Sequence, residues 1–217
     1  MIYAGIKNGF VKPEDYIRDL LAYQCIPTLF KLKPASLITV DKSRVPDQQE
    51  FYSCLQTYLT LYNCRYIIFQ ETEGRLYLLL YDEPLLWQAM TIGMRQSFLE
   101  RYGYLIHRDQ VAAALLLLGK RYRNYWTSGE FPHEIGIFLG YPLADVEGFI
   151  HNGGKNYILC GMWKVYQRVT VAESAFLYYH QLKARAVAIS EEKGELLPMY
   201  KENEQPKGDI FWELLSY

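Results

Sequence analysis

The chain has 217 residues, of which 50% are hydrophobic and 22% are charged, and its formal net charge is −1. A chain this apolar and this close to neutral can bury enough surface to fold, which excludes an intrinsically disordered protein. The near-zero charge also argues against a nucleic-acid-binding protein that relies on bulk electrostatic attraction.

The N-terminal part of the chain predicts two helices, a strand and a hairpin. Residues 13–23 begin with proline and two acids, which is typical of a helix start. A proline-broken connector then leads to a strand over residues 36–40, and apolar spacing over residues 47–63 predicts the second helix. Two β-rich runs, residues 65–70 and 75–81, surround a short turn with glycine and predict an antiparallel hairpin.

The rest of the chain is mainly helical by its pattern. Helices are predicted over residues 84–102, 109–122 and 172–190, and a strand over residues 156–166. Two short helices separated by glycine and proline predict a helix-turn-helix-like corner over about residues 133–151. The whole pattern indicates an α+β fold in which a small antiparallel sheet packs with several helices, and not a regular βαβ alternation.

The boundaries of the fold follow from composition. We expect residues 1–190 to form a single α+β domain. Residues 191–217, rich in Glu, Lys and Pro, are expected to form a loosely ordered C-terminal tail with a terminal aromatic segment.

The same sequence predicts a soluble cytoplasmic protein. Its start lacks a long apolar segment and a small-residue cleavage site, so no secretory signal is expected. The longest aliphatic run, Val111–Leu118, is too short to span a bilayer, and we expect no membrane association. The four cysteines are scattered without paired spacing, which predicts reduced thiols and not a disulfide framework.

Two segments raise the question of nucleic-acid binding. The second helix of the corner carries Asp145, Glu147 and His151 but neither lysine nor arginine. A recognition helix needs cationic and amide side chains, so this composition argues against sequence-specific DNA binding. The basic and aromatic residues 121–126 could stack on RNA bases. Because the chain is nearly neutral, we expect instead that these side chains lie along the protein's own surface.

The pair His133–Glu134 has two interpretations. A zinc protease helix would need a second histidine at position 137, which is isoleucine here. Glu134 near a helix start can favour the helix dipole, which is a structural role. In the functional interpretation, His133 is a ligand or a general base oriented by a carboxylate.

Cysteines and tyrosines supply the remaining candidates. Cys25 and Cys160 are candidate nucleophiles or redox thiols, whereas an isolated cysteine in apolar surroundings is more often a small buried hydrophobe. The chain has 20 tyrosines against 10 phenylalanines, an excess that suits pocket walls and partner surfaces as well as a tyrosine-containing core.

Three groups of segments carry a resemblance to a family. They are residues 25–29 (CIPTL) with 33–37 (KPASL), residues 132–143 (PHEIGIFLGYPL) with 145–150, and Cys160 with residues 163–166 (WKVY). The chain resembles a family of cytoplasmic proteins from anaerobic, largely clostridial Firmicutes that is known as a domain of unknown function. The resemblance covers about residues 15–190. It implies a bacterial cytosolic origin and a single folded unit, and it implies no activity.

The resembling segments also define the candidate site, because they concentrate most of the reactive side chains. If the fold brings them together, they form one polar ligand site. Its candidate residues are Cys25, Lys33, Ser36, His133, Glu134, Asp145, Cys160, Trp163 and Lys164.

The sequence therefore predicts a cytosolic accessory protein that binds a small molecule or a protein partner. Two alternatives stay open. One is an enzyme with Cys25 or Cys160 as nucleophile and His133 as base. The other is a redox accessory protein in which cysteine and histidine bind a soft metal or haem iron.

Overall fold

A three-stranded antiparallel sheet lies between two layers of helices. The computed structural model describes residues 12–45, 47–107 and 110–196. The strands are β1 (Ala35–Asp41), β2 (Arg65–Glu71) and β3 (Arg75–Tyr81), in the order β1-β3-β2. β3 is thus the central strand, hydrogen-bonded on both edges.

Alternation along β3 assigns its residues to two separate cores. Leu76, Leu78 and Leu80 belong to the first core, and Tyr77, Leu79 and Tyr81 belong to the second. Successive side chains of a strand point to opposite faces, so a strand with six buried leucine and tyrosine side chains in a row must be covered on both sides.

Each core is closed by its own helices. The first core contains residues from α1 (Pro13–Gln24), α2 (Ile26–Leu29), α3 (Gln48–Leu61) and the C-terminal half of α9 (Val169–Lys193). The second core is built by the helices between β3 and α9, with bounds α4 (Glu83–Thr91), α5 (Arg95–Glu100), α6 (Val111–Ser128), α7 (Ile135–Phe138) and α8 (Leu143–His151). The N-terminal half of α9 packs in a small third cluster with a hairpin of β4 (Leu159–Cys160) and β5 (Lys164–Val165).

The predicted α+β class, with a small antiparallel sheet and several helices, is confirmed, and two of its elements differ in detail. The predicted helix over residues 84–102 is divided into α4 and α5, and Gly93 between them has φ of 58°. The predicted strand over residues 156–166 is a short hairpin instead, because the chain reverses where Gly161 N donates to Trp163 O over 3.0 Å.

The C-terminal part of α9 reaches into the predicted tail. The helix continues to Lys193, and Leu196 is buried against the first core. The terminal aromatic segment lies outside the described residues. In the described ranges, no helix combines the length and the apolar character that a membrane span requires.

Candidate functional site

The site forms where the α7–α8 corner meets the β4–β5 hairpin. Gly140 ends the first arm of the corner with φ of 81°, a backbone conformation that favours glycine, and Pro142 precedes the first turn of α8. Gly148 on α8 allows Tyr166 to pack closely, since a Cβ there would lie 2.6 Å from Tyr166 Cγ. The corner and the hairpin therefore approach each other without a gap on that side.

Asp145 fastens the hairpin to α8. Its Oδ2 accepts a hydrogen bond from Trp163 Nε1 at 2.8 Å, and its Oδ1 accepts from the backbone N–H groups of Tyr166 at 2.7 Å and Gln167 at 3.2 Å. Asp145 is buried, and a buried carboxylate needs such donors to offset its lost hydration. Its role is to position Trp163.

Trp163 is held by aromatic contacts as well. Its ring stacks on Tyr141 with centroids 5.1 Å apart and meets the edge of Phe176 at 4.5 Å. These offset and edge-on arrangements are the favourable ones for aromatic pairs. The indole therefore has one fixed orientation.

A cavity of about 360 Å³, which we call the apolar cavity, opens between these elements. Most of its lining is apolar, from β1, the corner and the hairpin. The lining residues are the aromatic Phe131, Tyr141, Phe149 and Trp163; the aliphatic Leu37, Ile135, Leu139, Val146 and Met162; the polar His133, Asp145, Cys160 and Lys164; and Gly136 and Gly161.

His133 lies in the wall of the apolar cavity between two rings. Its centroid is 5.4 Å from that of Phe131 and 4.9 Å from that of Phe149. Burial lowers the pKa of His133 below its usual 6.5, and the charge of Glu134 opposes that shift. The imidazole is therefore neutral at pH 7, with one nitrogen able to donate and the other able to accept a hydrogen bond.

Lys164 places a cation at the cavity. Its Nζ donates to Gly154 O at 2.6 Å and lies over the rings of Tyr157 (4.8 Å) and Phe149 (5.5 Å). An ammonium group has three N–H donors, so donors remain for a ligand.

The segment around Cys25 contributes little to this cavity. Cys25 is fully buried in the first core, and burial raises the pKa of its thiol, which stays protonated. Ser36 is buried too, and its Oγ hydrogen-bonds Thr28 Oγ1 at 2.8 Å. Neither group can serve as a nucleophile for a ligand in the apolar cavity.

Lys33 is the link between that segment and the cavity. Its Nζ lies 5.9 Å from the centroid of Tyr141, a residue of the cavity wall. Burial lowers the pKa of Lys33 to about 8, and the neighbouring Cys25 opposes the shift. Five of the nine candidate residues thus line the apolar cavity, and Lys33 lies near one of its wall residues, Tyr141.

Glu134 is completely buried at the N-cap position of α7, the helix start where its charge was expected to favour the helix dipole. Its side chain forms no capping hydrogen bond there. Its Oε1 instead accepts from Arg121 Nε at 2.5 Å and from the Tyr104 hydroxyl at 3.0 Å. The second carboxylate oxygen, Oε2, is buried without a hydrogen-bond partner.

Sequence reasoning missed the residues that give the site its shape. Tyr141 and Phe149 were not candidates, although both lie within segments that carry the family resemblance. Arg121 belongs to the basic and aromatic stretch over residues 121–126, so its charge was visible and its partner, 13 residues further on, was not.

A metal centre does not emerge from the described residues. Within those ranges, no group of three or more His, Cys, Asp or Glu side chains is placed to hold a metal ion. Of the three residues named for the redox alternative, Cys160 and His133 line the apolar cavity and Cys25 lies apart from them in the first core.

Fold and site together define an α+β protein with an aromatic-lined cavity at a helical corner. The chain belongs to the family described as "Protein of unknown function (DUF3793)", whose model matches residues 21–199. This match confirms the predicted resemblance to a domain of unknown function. No curated protein and no solved structure matches the chain.

Proposed function

We propose that this protein binds a small aromatic molecule in the apolar cavity. The observation that carries the proposal is a volume of about 360 Å³ with four aromatic rings in its walls. Small-molecule sites are typically concave and mostly apolar, with volumes of about 300–1,000 Å³ and a few polar groups. A flat aromatic ligand gains both apolar burial and ring stacking in such a space.

The polar groups at the cavity would orient this ligand. His133 offers a neutral imidazole, and Lys164 offers a cation that suits an acceptor or an anion. The polar atoms of Asp145 and Trp163 already bond each other, so they stiffen the wall. A site that is ordered before binding loses less entropy when the ligand arrives.

The first experiment is a calorimetric titration of the full-length protein with indole, a flat aromatic probe. We expect saturable binding, which Met162→Trp abolishes because the larger side chain fills the cavity. Met94→Trp is the matched control, since Met94 is also exposed but does not line the cavity. Absence of binding in the wild type, or equal binding by both variants, would overturn the proposal.

Thiol chemistry is a second candidate because Cys160 and His133 line the same cavity. A thiolate activated by an imidazole reacts faster than an ordinary thiol. The test compares the alkylation rates of Cys160 and Cys54 by iodoacetamide, read by mass spectrometry. An enzyme requires a faster rate at Cys160 that His133→Phe removes; equal rates contradict it.

We also propose a bacterial cytoplasmic setting for this binding protein. The four cysteines form no disulfide, which suits a reducing compartment. The family resemblance supports the bacterial origin. Fractionation of a source organism with an antibody to the protein tests the location.

A further inference from the structure

A second cavity, which we call the polar cavity, adjoins the apolar cavity. It has a volume of about 340 Å³, and Phe131 and His133 belong to the walls of both. Its other lining residues are largely polar or charged, and they include Arg121, Asn124, Glu130 and Glu134. The two cavities therefore present contrasting chemistry on either side of one short segment.

Two contacts fix the side chain of Arg121 in the polar cavity. Its Nε donates to Glu134 Oε1, and its guanidinium lies over the Tyr102 ring, 5.4 Å from the centroid. The contact through Nε leaves N–H donors on the two Nη groups. A guanidinium fixed in this way matches a carboxylate, which it can bind through two parallel hydrogen bonds.

The acidic groups of the same cavity match a cation. Glu134 is fully buried, and its Oε2 has no hydrogen-bond partner. Glu130 adds an exposed carboxylate to the cavity wall. A buried acceptor without a donor is unfavourable. Arg121 already balances the charge of Glu134, so a ligand ammonium would be stabilised by the charge of Glu130 and by a hydrogen bond to Glu134 Oε2.

We propose that the polar cavity binds the zwitterionic head of an α-amino acid whose aromatic side chain occupies the apolar cavity. This inference rests on the proposed function, and it adds the chemical class of the ligand. Arg121 takes the carboxylate, Glu130 and Glu134 face the ammonium, and Phe131 and His133 flank the atoms between head and ring.

Four probes separate the contributions of ring and head in calorimetric titrations of the full chain. Indole has the ring alone, tryptamine adds the amine, indole-3-propionate adds the carboxylate, and L-tryptophan has both. We expect L-tryptophan to bind about tenfold more tightly than indole, because hydrogen bonds to charged groups contribute that much. The two singly charged probes should lie between them.

Two variants assign the head contacts. Arg121→Lys keeps a positive charge beside the buried Glu134 but lacks the two parallel N–H donors. It should reduce the affinity for L-tryptophan and indole-3-propionate and leave that for indole unchanged. Arg101→Lys is the control, because Arg101 pairs with Glu147 on the surface and lines neither cavity. Glu130→Gln, an exposed change that spares the fold, should lower the preference for L-tryptophan over indole-3-propionate about fivefold.

The outcomes distinguish this inference from the proposed function. If indole binds and L-tryptophan binds no more tightly, the zwitterion proposal is overturned while the proposed function stands. If L-tryptophan is preferred but both head variants leave the preference unchanged, the polar cavity is not the site of the head. If no probe binds, both proposals fall together.

Discussion

Trp163 donates its indole N–H to Asp145 Oδ2 over 2.8 Å, and both residues are buried. The bond joins the hairpin to α8, and the backbone N–H groups of Tyr166 and Gln167 complete the shell around the same carboxylate. Every described polar contact of Asp145 is therefore with a donor, which makes the charge and the shape of this side chain hard to replace.

Asp145→Asn should lower the free energy of unfolding by about 2–4 kcal/mol. The amide has one oxygen and one NH₂ group, so its NH₂ must face either the indole N–H or the backbone donors. Urea denaturation measures the loss. Glu147→Gln, on the exposed side of the same helix, is the control and should change stability by about 0.5 kcal/mol or less. Equal effects of the two substitutions would contradict this role of Asp145.

Gly148→Ala tests the close approach of α8 and the hairpin. The added Cβ would lie 2.6 Å from Tyr166 Cγ, so the ring must move, and we expect a loss of about 1–3 kcal/mol in thermal or urea unfolding. Gly74→Ala is the matched control, since nothing lies within 4 Å of a Cβ at that position. A loss at Gly148 no larger than at Gly74 would show that the contact tolerates a methyl group.

Lys33 should make stability rise with pH. Its pKa is about 8 in the folded protein against an ordinary 10.5, so between those values the unfolded chain binds more protons. Stability then increases with pH across this window, and the penalty of the buried charge is complete below pH 8. Between pH 7 and 9.5, the wild type should gain about 2 kcal/mol relative to Lys33→Met.

The difference between the two proteins is the quantity to measure, by urea denaturation at a series of pH values. The raised pKa of the Cys25 thiol changes stability in the opposite direction at alkaline pH, and it contributes to both proteins. A difference that stays constant from pH 7 to 9.5 would mean that Lys33 keeps an ordinary pKa.

His133 should make indole binding depend on pH. An aromatic ligand in the apolar cavity covers the imidazole further, which disfavours its charged form. Because the pKa of His133 is already below 6.5, we expect constant affinity from pH 7 to 8 and weaker binding as the pH falls below 6. Titrations of His133→Phe should lack this decrease, and an identical pH profile in both proteins would exclude His133 as its source.

Local patterns were sufficient for most of the fold. The run of leucine and tyrosine from residue 76 to 81 predicted the strand β3, and the glycine and proline after α7 predicted the corner. The strand predicted over residues 156–166 failed because β-branched and aromatic residues do not reveal a reversal at Gly161. The ring of Phe176, from α9, lies so close to Gly161 that it leaves no room for a Cβ there, and this contact is not visible in the local sequence.

The candidate site was predictable only in part, because residue types can be identified in the sequence but contacts between distant segments cannot. His133, Cys160 and Lys164 were identified by residue type within short segments, and the apolar cavity includes them. The burial of Cys25 and the pairing of Glu134 with Arg121 depend on distant partners. The spacing of residues along the sequence does not show that α6, which carries Arg121, lies beside the carboxylate of Glu134.

The placement of β3 has a consequence for how the protein unfolds. One strand supplies alternate side chains to two cores, so loosening either helical layer would expose half of β3 and remove support for the other layer. We therefore expect both layers to melt together, in one transition with coincident fluorescence and circular dichroism midpoints. A substitution that destabilises the first core would then also destabilise the second core and the apolar cavity beside it. Evolutionary selection for the cavity would therefore act on residues of both cores.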